Sequence, residues 1–234
     1  MGRIHKIVYK KLMMYYVFMI ILAIDSSSKD LSLSLRSEKG IETKIYQKDG
    51  KHSEIFLQAL NDLLDTNNMQ ASDLSGILFN KGPASFTGTR VAASSLQAIG
   101  YTLNIPIVGI SSLEVMAYVY SSDSNMTRFE CAKYAYGDRY FTASFEKSKK
   151  LYQIKDTLLS DIKMINISHN EHLVLNTELS KYIERKCIPI TYDHTILSRE
   201  TNSEDLISFA EKYINLGSEF KLSDTLPDYA NHEI

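Results

Sequence analysis

The chain has few cysteines, no excess of basic charge and no apolar run long enough to cross a membrane. Its two cysteines, Cys131 and Cys187, lie far apart in neither a metal-binding nor a redox spacing, which is typical of reduced thiols in a cytosolic protein. The net charge of −2 lacks the basic excess of nucleic-acid-binding proteins, so no direct contact with nucleic acid is indicated. No internal repeat or low-complexity segment is present, and 234 residues are enough for one large domain or two small ones.

The longest apolar run, from Leu12 to Ile24, follows a basic segment at residues 1–11. That order is found in secretory signals. The run is shorter than the ~20 residues of a membrane-spanning helix. No clean small-x-small cleavage site closes it, and Asp25 follows at once, as it would after a strand that ends at a polar site. We therefore expect a buried strand preceded by extra residues, with an exported or membrane-tethered protein as the alternative.

Apolar periodicity in the first half predicts three strands, then a helix, a strand, a helix and a strand. The predicted strands are 20–24, 31–36, 41–47, 75–80 and 105–110, and the helices are 53–64, starting at Ser53, and 91–101. Ser111 with Glu114 has the spacing of a capping box that opens a further helix. This order predicts an α/β domain with a mixed sheet.

The second half has weaker signals. A hairpin around Gly137 and Asp138 is predicted to join strands at 129–136 and 140–146. Short strands are predicted at 173–175 and 188–190, on either side of a helix at 178–186. A second capping box, Thr201 with Glu204, predicts a helix that ends at Gly217. These elements would form a second, poorer version of the same α/β plan.

The most unusual stretch is NKGPASFTGTR, from Asn80 to Arg90. A phosphate loop of the Walker type requires G-x-x-x-x-G-K-[ST], but Thr87 stands where its second glycine would be, and no lysine follows Gly88. The dinucleotide pattern G-x-G-x-x-G fails as well, because Ala84 replaces its second glycine. Neither nucleotide loop is therefore predicted here.

Two uses remain for this glycine-rich stretch. A turn that leads into a helix N-terminus leaves backbone amides free for an anion, and Arg90 lies in the first turns of the helix. The following residues, VAASSLQAIG, are small and would let another backbone or helix approach closely. The composition favours packing, either within the domain or against a partner.

The remaining polar candidates are weak. Asp25 with Ser26 and the serines after it could bind a metal ion or phosphate, or could satisfy the amides of its own turn. The trio at residues 52–54, HSE, resembles a hydrolytic site in composition alone, because neighbours in sequence do not usually meet as a triad. Other weak signals are the histidines His169 and His172 and the sequons at Asn125 and Asn166, which matter for an exported chain.

Four stretches fall in the order and spacing of a known family. They are MIILAIDSSSKDLSLSL (19–35), HSE (52–54), GPASFTGTR (82–90) and IPIVGISSLEVMA (105–117). They resemble the TsaB (YeaZ) family, the dimerisation subunit of the bacterial complex that places threonylcarbamoyl on adenosine 37 of tRNA. The family motif reads G-P-G-S-F-T-G-x-R, and here Ala84 replaces its middle glycine. Beyond Ala117 the match is poor: the family's Asp-Ala-Arg is absent around 134–140, and LPDYA (226–230) is only faintly similar to its closing Pro-x-Tyr.

The resemblance implies a fold of two ribonuclease-H-like α/β halves of the actin and Hsp70 ATPase-like (ASKHA) superfamily. Residues 1–18 would be an extension or a mis-assigned start, because Met19 stands where family members begin. Residues 19–117 would form the partner-binding domain, and residues 118–234 a divergent second domain. The partner would be the catalytic paralogue TsaD, with the ATPase TsaE in the larger complex and a homodimer as a further arrangement.

The same resemblance implies a subunit that has lost its chemistry. In the catalytic paralogue, the segment equivalent to GISSLEVM carries two metal-binding histidines four residues apart, and here Ser112 and Met116 stand at those positions. A hydroxyl and a thioether are poor ligands for a hard metal ion, so we expect no metal site, no cofactor and no catalytic residue.

We therefore expect a cytoplasmic, non-catalytic scaffold that binds TsaD through small-residue helices. The residues expected to shape and position the helix are Gly82, Pro83, Ser85, Phe86, Thr87, Gly88 and Arg90. Those expected at or near the contact are Ala92, Ala93, Ser95 and Leu96. The alternative is a nucleotide-dependent phosphotransferase or hydrolase with phosphates near Asp25 and Asn80–Gly82, and in the scaffold Asp25, Ser26 and Asn80 would be its vestige.

Overall fold

The computed structural model describes residues 19–47, 52–84, 86–123, 128–147, 152–162, 172–188, 195–215 and 231–232. Several sequence predictions lie outside these ranges: residues 1–18, Ser85, His169, Gly217, both sequons and the LPDYA segment. Among the described helices, none combines the length and apolar character that crossing a membrane requires.

Two mixed sheets form the framework. The first contains β1 (Ile21–Asp25), β2 (Asp30–Ser37), β3 (Gly40–Gln47), β4 (Gly76–Gly82) and β5 (Ile107–Ser111). The second contains β6 (Arg128–Tyr134), β7 (Arg139–Lys147), β8 (Tyr152–Asp161), β9 (His172–Asn176), β10 (Thr195–Ser198) and β11 (Asn231–His232). The helices are α1 (His52–Thr66), α2 (Phe86–Leu103), α3 (Ser112–Asp123), α4 (Thr177–Lys186) and α5 (Ser203–Asn215), with a short 3-10 helix at Ala71–Asp73.

The two sheets share one topology. The first has the order β3-β2-β1-β4-β5, and the second has β8-β7-β6-β9-β10 with β11 added beside β8. In each, the first three strands are antiparallel and the last two run parallel to the first. The predicted α/β class is confirmed, and the second half repeats the plan of the first.

The helices lie in layers on both faces of the sheets. Leu31, Leu33 and Leu35 of β2 face the core that α1 and α2 cover. On the opposite face, α5 and part of α3 pack against β1 and β4. The other side of α3 packs on the second sheet, and α4 covers that sheet's far face. The helix α5 belongs to the second half of the chain, yet it packs on the first sheet.

The alternation LSLSLR of β2 predicted a half-buried strand, but the structure buries both of its faces. Ser32 and Ser34 are almost fully buried, because α5 covers their side of the sheet. The backbone N–H of Ser203, at the start of α5, donates to Ser32 Oγ at 2.9 Å. A buried hydroxyl is tolerated when such a bond replaces its contact with water.

The predicted capping boxes are modified. Glu114 Oε2 accepts from the Ser111 backbone N–H at 3.2 Å, which is one half of a box. The Ser111 hydroxyl, which the other half would use, is buried with no partner in the part of the chain that is described. At α5 the box is shifted by one residue, because Asn202 Oδ1 accepts from the Glu204 N–H and Asp205 accepts from the Asn202 N–H.

Candidate functional site

Polar side chains gather at the carboxyl ends of the central strands, the edge at which open α/β sheets bind ligands. At the end of β1, the carboxylate of Asp25 accepts from the Ser27 backbone N–H at 2.7 Å and from Asn80 Nδ2 at 2.9 Å. Asn80, near the end of β4, also donates to Ser27 Oγ at 3.0 Å and accepts from the Gly82 N–H. We call these residues, with Ser26 and Lys133, the Asp25 cluster.

Lys133 of β6 completes the Asp25 cluster from the other half of the chain. Its Nζ donates to Ser27 Oγ at 2.8 Å, and the residue is only 5% exposed. Burial lowers the pKa of Lys133, because it disfavours the charged ammonium. The carboxylates of Asp25, Glu200 and Glu178 oppose that shift. The cluster thus connects the two sheets through one buried cation.

The second sheet has a related arrangement at its own carboxyl edge. Asn176 is the last residue of β9, a position similar to that of Asn80 near the end of β4. The Oδ1 atom of Asn176 accepts from the Tyr134 N–H at 3.0 Å. The same oxygen caps α4 by accepting from the Leu179 N–H. Glu200 adds its carboxylate, which accepts from the Glu178 N–H at 3.1 Å. The first amides of α4 are therefore satisfied by the chain's own side chains, where an anion would otherwise bind.

A cleft of about 600 Å³ lies between the two halves and is lined by residues of both. Residues of β2, β3, α4 and the segment before α5 line it: Ser28, Lys29, Asp30, Ser32, Ile45, Tyr134, Thr177, Glu178, Lys181, Tyr182, Arg185, Glu200, Thr201 and Asn202. Its charges are mixed, and Lys29 forms an ion pair with Glu178 at 3.7 Å. Asp25, Ser27 and Lys133 do not line it, although Ser28 and Tyr134 beside them do.

The glycine-rich stretch forms the turn from β4 into α2. Gly82 has a φ of 99°, a backbone conformation that favours glycine. The carbonyl oxygen of Pro83 accepts from Ser112 Oγ at 2.8 Å, which ties the turn to the start of α3. The helix begins at Phe86, earlier than predicted. For Phe86, Thr87, Gly88 and Arg90 the structure describes the helical backbone alone, so their predicted roles stay predictions.

The side chains predicted for the partner contact lie mostly inside this chain. Ala92, Ala93 and Leu96 are buried, and Leu96 has no exposed surface. Ala93 and Leu96 belong to the core between α2 and the first sheet, while Ser95 is partly exposed. The expectation that Ala92, Ala93 and Leu96 present a surface to a partner is therefore wrong. Their small size instead lets α2 lie close to its own sheet.

The two positions that correspond to metal ligands in the paralogue have other uses here. Ser112 is 1% exposed, and its hydroxyl is donated to Pro83. The thioether of Met116 is buried in the core between α3 and the second sheet. Within the ranges given above, no three side chains of His, Cys, Asp or Glu come together in a way that could hold a metal ion.

Sequence reasoning missed Lys133, Asn176 and Glu200. Lys133 is one polar residue in a strand, and nothing local distinguishes it from a solvated lysine. Asn176 carried a usable signal, because an asparagine that ends a buried strand just before a helix is a preferred N-cap. The HSE trio lies in the first turn of α1, where the structure describes the helical backbone alone. His172 lies on β9 and is partly buried.

The first half is similar in sequence to known proteins. Residues 35–129 match the family model of TsaD, tRNA N6-adenosine threonylcarbamoyltransferase, over less than half of the chain. The tRNA threonylcarbamoyladenosine biosynthesis protein TsaB of Bacillus subtilis (strain 168) is 38% identical over 100 residues, which is 42% of this chain and 44% of that protein. The match thus covers less than half of the length of the curated relatives.

The fold is similar to solved structures over nearly the whole chain. A Pseudomonas aeruginosa protein described as similar to peptidase YEAZ has a TM-score of 0.74 at 22% identity, covering 92% of this chain and 100% of that one. The structure of YeaZ from Pseudomonas aeruginosa has a TM-score of 0.71 at 22% identity, covering 91% and 100%. The first half of this chain is therefore similar in sequence to curated TsaB proteins, and its two-sheet fold is the fold of the YeaZ structures.

Proposed function

We propose that the chain is a non-catalytic partner subunit of the complex that forms N6-threonylcarbamoyladenosine at position 37 of tRNAs reading codons that begin with A. In this role it binds the catalytic subunit TsaD and activates it, in the cytoplasm. The names of its curated relatives support a place in threonylcarbamoyladenosine biosynthesis. The match to the TsaD family model supports a common origin with the catalytic subunit.

The proposal that the chain is non-catalytic rests on the contacts that Ser112 and Met116 make. A metal-binding residue needs a donor atom that points into an accessible site. The Ser112 hydroxyl is already donated to the Pro83 carbonyl, and Met116 is packed among apolar side chains. Both therefore serve the fold at the positions where the paralogue would hold its metal.

The surface we assign to TsaD is the exposed side of α2. Three residues at helical spacing lie there, Ser94, Ala98 and Tyr101, and Tyr101 is 90% exposed. The neighbouring helix α1 packs beside α2 and exposes Leu57. A large exposed aromatic beside small residues is the kind of anchor that contributes strongly at protein interfaces. The same surface could serve a homodimer, and TsaE would join the complex elsewhere.

Association with purified TsaD tests this assignment. The variants Tyr101→Glu and Ala98→Glu place a charge on the exposed side of α2, and we expect the dissociation constant to rise by roughly tenfold or more. Tyr136→Glu is the matched control, because Tyr136 is an exposed tyrosine at the tip of the β6–β7 hairpin. Unchanged affinity in both α2 variants would remove this surface from the proposal. Failure of the unaltered chain to bind TsaD would remove the proposed function itself.

The alternative function, a nucleotide-dependent phosphotransferase or hydrolase, is supported by the cleft between the halves. Lys181 and Arg185 of α4 bring positive charge to one wall of it. Against this use, the Glu178 N–H at the start of α4 already donates to Glu200, and Asn80 and Ser27 satisfy the carboxylate of Asp25. Calorimetry of the isolated chain with ATP and magnesium separates the two functions. Micromolar binding together with turnover would favour the enzyme, and an absence of both would favour the scaffold.

A further inference from the structure

Lys133 is a buried ammonium between the two halves of the chain. Burial of an unpaired charge costs several kcal/mol, so buried charges in proteins are paired or coordinate metals. The direct partner of Lys133 is Ser27 Oγ, at 2.8 Å, on the turn that follows β1. This bond joins residues 106 apart in sequence, one on the turn after β1 and one on β6. The ammonium therefore needs a counter-charge nearby.

Asp25 supplies that charge. Its side chain is 1% exposed, and its two oxygens accept from neutral donors, the Ser27 backbone N–H and Asn80 Nδ2. Neither bond brings a positive charge. Ser27 links the two residues, because its hydroxyl accepts from Lys133 Nζ at 2.8 Å and its backbone N–H donates to Asp25 Oδ1 at 2.7 Å. Asn80 adds a second link, since its Nδ2 donates both to Ser27 Oγ and to Asp25 Oδ2. Asp25 and Lys133 are thus buried on either side of Ser27 and Asn80.

We infer that Lys133 is an internal counter-ion for Asp25 that stands where a bound cation would otherwise be needed, so that the two halves are held together without a ligand. The carboxylates of Glu178 and Glu200 lie on the second-half side of the ammonium and add to its negative surroundings. This goes beyond the proposed function, because it describes the isolated chain whether or not TsaD binds.

Thermal unfolding of the full chain tests the inference. Lys133→Met keeps a similar length but leaves Asp25 with no counter-charge, and we expect the melting temperature to fall by roughly 10 °C. The unpaired carboxylate should then attract a divalent cation. Addition of about 10 mM MnCl₂ should raise the melting temperature of Lys133→Met by roughly 3–5 °C, for millimolar affinity, and leave the unaltered chain unchanged.

The double variant Lys133→Met with Asp25→Asn tests the inference even if Lys133→Met alone fails to fold. It removes both charges, so it should melt at a higher temperature than either single variant and should not respond to Mn²⁺. Lys39→Met is the matched control, because Lys39 is an exposed lysine in the turn after β2, and its loss should leave the melting temperature unchanged. Two results would overturn the inference: a Lys133→Met chain as stable as the unaltered one, or a double variant no more stable than the singles.

Discussion

The hydroxyls of Ser34 and Ser203 lie 2.7 Å apart, although 169 residues separate them in the sequence. Both residues have no exposed surface. Ser34 lies on β2 of the first sheet. Ser203 is the first residue of α5, the helix that follows β10 of the second sheet. The bond therefore fixes the start of a helix from the second half of the chain against the first sheet.

Removing the Ser34 hydroxyl should destabilise the chain. Ser34 Oγ also bonds to Thr43 Oγ1 at 2.7 Å, so Ser34→Ala deprives two neighbouring hydroxyls of a partner. A buried polar group left unsatisfied costs about 1–3 kcal/mol, and we expect the free energy of unfolding in urea to fall by about that amount. The control is Ser94→Ala on the exposed side of α2, which should change it by less than about 0.5 kcal/mol. Equal effects of the two variants would contradict the role of Ser34.

Leu96 should behave as a core residue and not as an interface residue. Its side chain is fully buried between α2 and the first sheet, so Leu96→Ala should lower the free energy of unfolding by about 2–5 kcal/mol. Tyr101→Ala, one turn further along the same helix but exposed, should change it by less than about 0.5 kcal/mol. If Leu96→Ala kept full stability in urea titrations and lost affinity for TsaD, its placement in the core would be wrong.

Most of the framework could be predicted from the sequence, because it follows from local patterns. The run ILAI of β1 is continuous and apolar, since a central strand with parallel and antiparallel neighbours is covered on both faces. The hairpin around Gly137 and the helix at 177–186 are also confirmed, because each has its own local sequence pattern. The strands β8 (152–161) and β10 (195–198) were missed. The strand predicted at 188–190 lies mostly outside the described residues and stays a prediction.

The side of α2 that contacts its own sheet could not be predicted from composition. Small residues permit close packing, but they do not say whether the neighbour is internal or a partner. In the structure the neighbours of Ala93 are internal, and Gly100 lies close to Ile107 of β5. The Asp25 cluster was predicted in part, through Asp25 and Asn80. Lys133 was missed because its contact depends on how two sheets meet, which no local pattern encodes.

Gly100 tests the close approach of α2 to the first sheet. Replacement of a glycine inside a helix by alanine usually raises the free energy of unfolding by about 1 kcal/mol. Here an added Cβ would lie 2.4 Å from both Cγ1 and Cδ1 of Ile107, and overpacking of that kind costs about 1–3 kcal/mol. We expect Gly100→Ala to lower the free energy of unfolding by about 1 kcal/mol. The pair Gly100→Ala with Ile107→Val should recover part of this loss relative to the sum of the single variants. A stabilising Gly100→Ala would show that the helix and β5 are further apart.

Tyr182 should titrate at unusually high pH. Its hydroxyl on α4 donates to the Asp138 carboxylate in the β6–β7 turn. That bond, then burial and the charge of Asp138, raise the pKa of Tyr182 from 10.0 to about 12. Because the folded-state pKa exceeds the unfolded value, the stability that this bond contributes is complete below about pH 10 and is lost as the pH rises through about 12. The measurement is the pH titration of tyrosine ¹³Cζ resonances, with the Tyr182 signal assigned through Tyr182→Phe.

Asp138→Asn separates the effect of the carboxylate from the effect of the ring's surroundings. The amide oxygen of the asparagine can still accept a hydrogen bond from the Tyr182 hydroxyl. The amide carries no negative charge, however, so it does not oppose formation of the tyrosinate. The pKa of Tyr182 should therefore move back toward 10 in Asp138→Asn, while the packing of its ring against Tyr134 is kept. In the same pH range, Tyr182→Phe should lose less stability than the unaltered chain, since it has no bond to break. Identical titration of Tyr182 in the unaltered chain and in Asp138→Asn would show that the carboxylate does not control it.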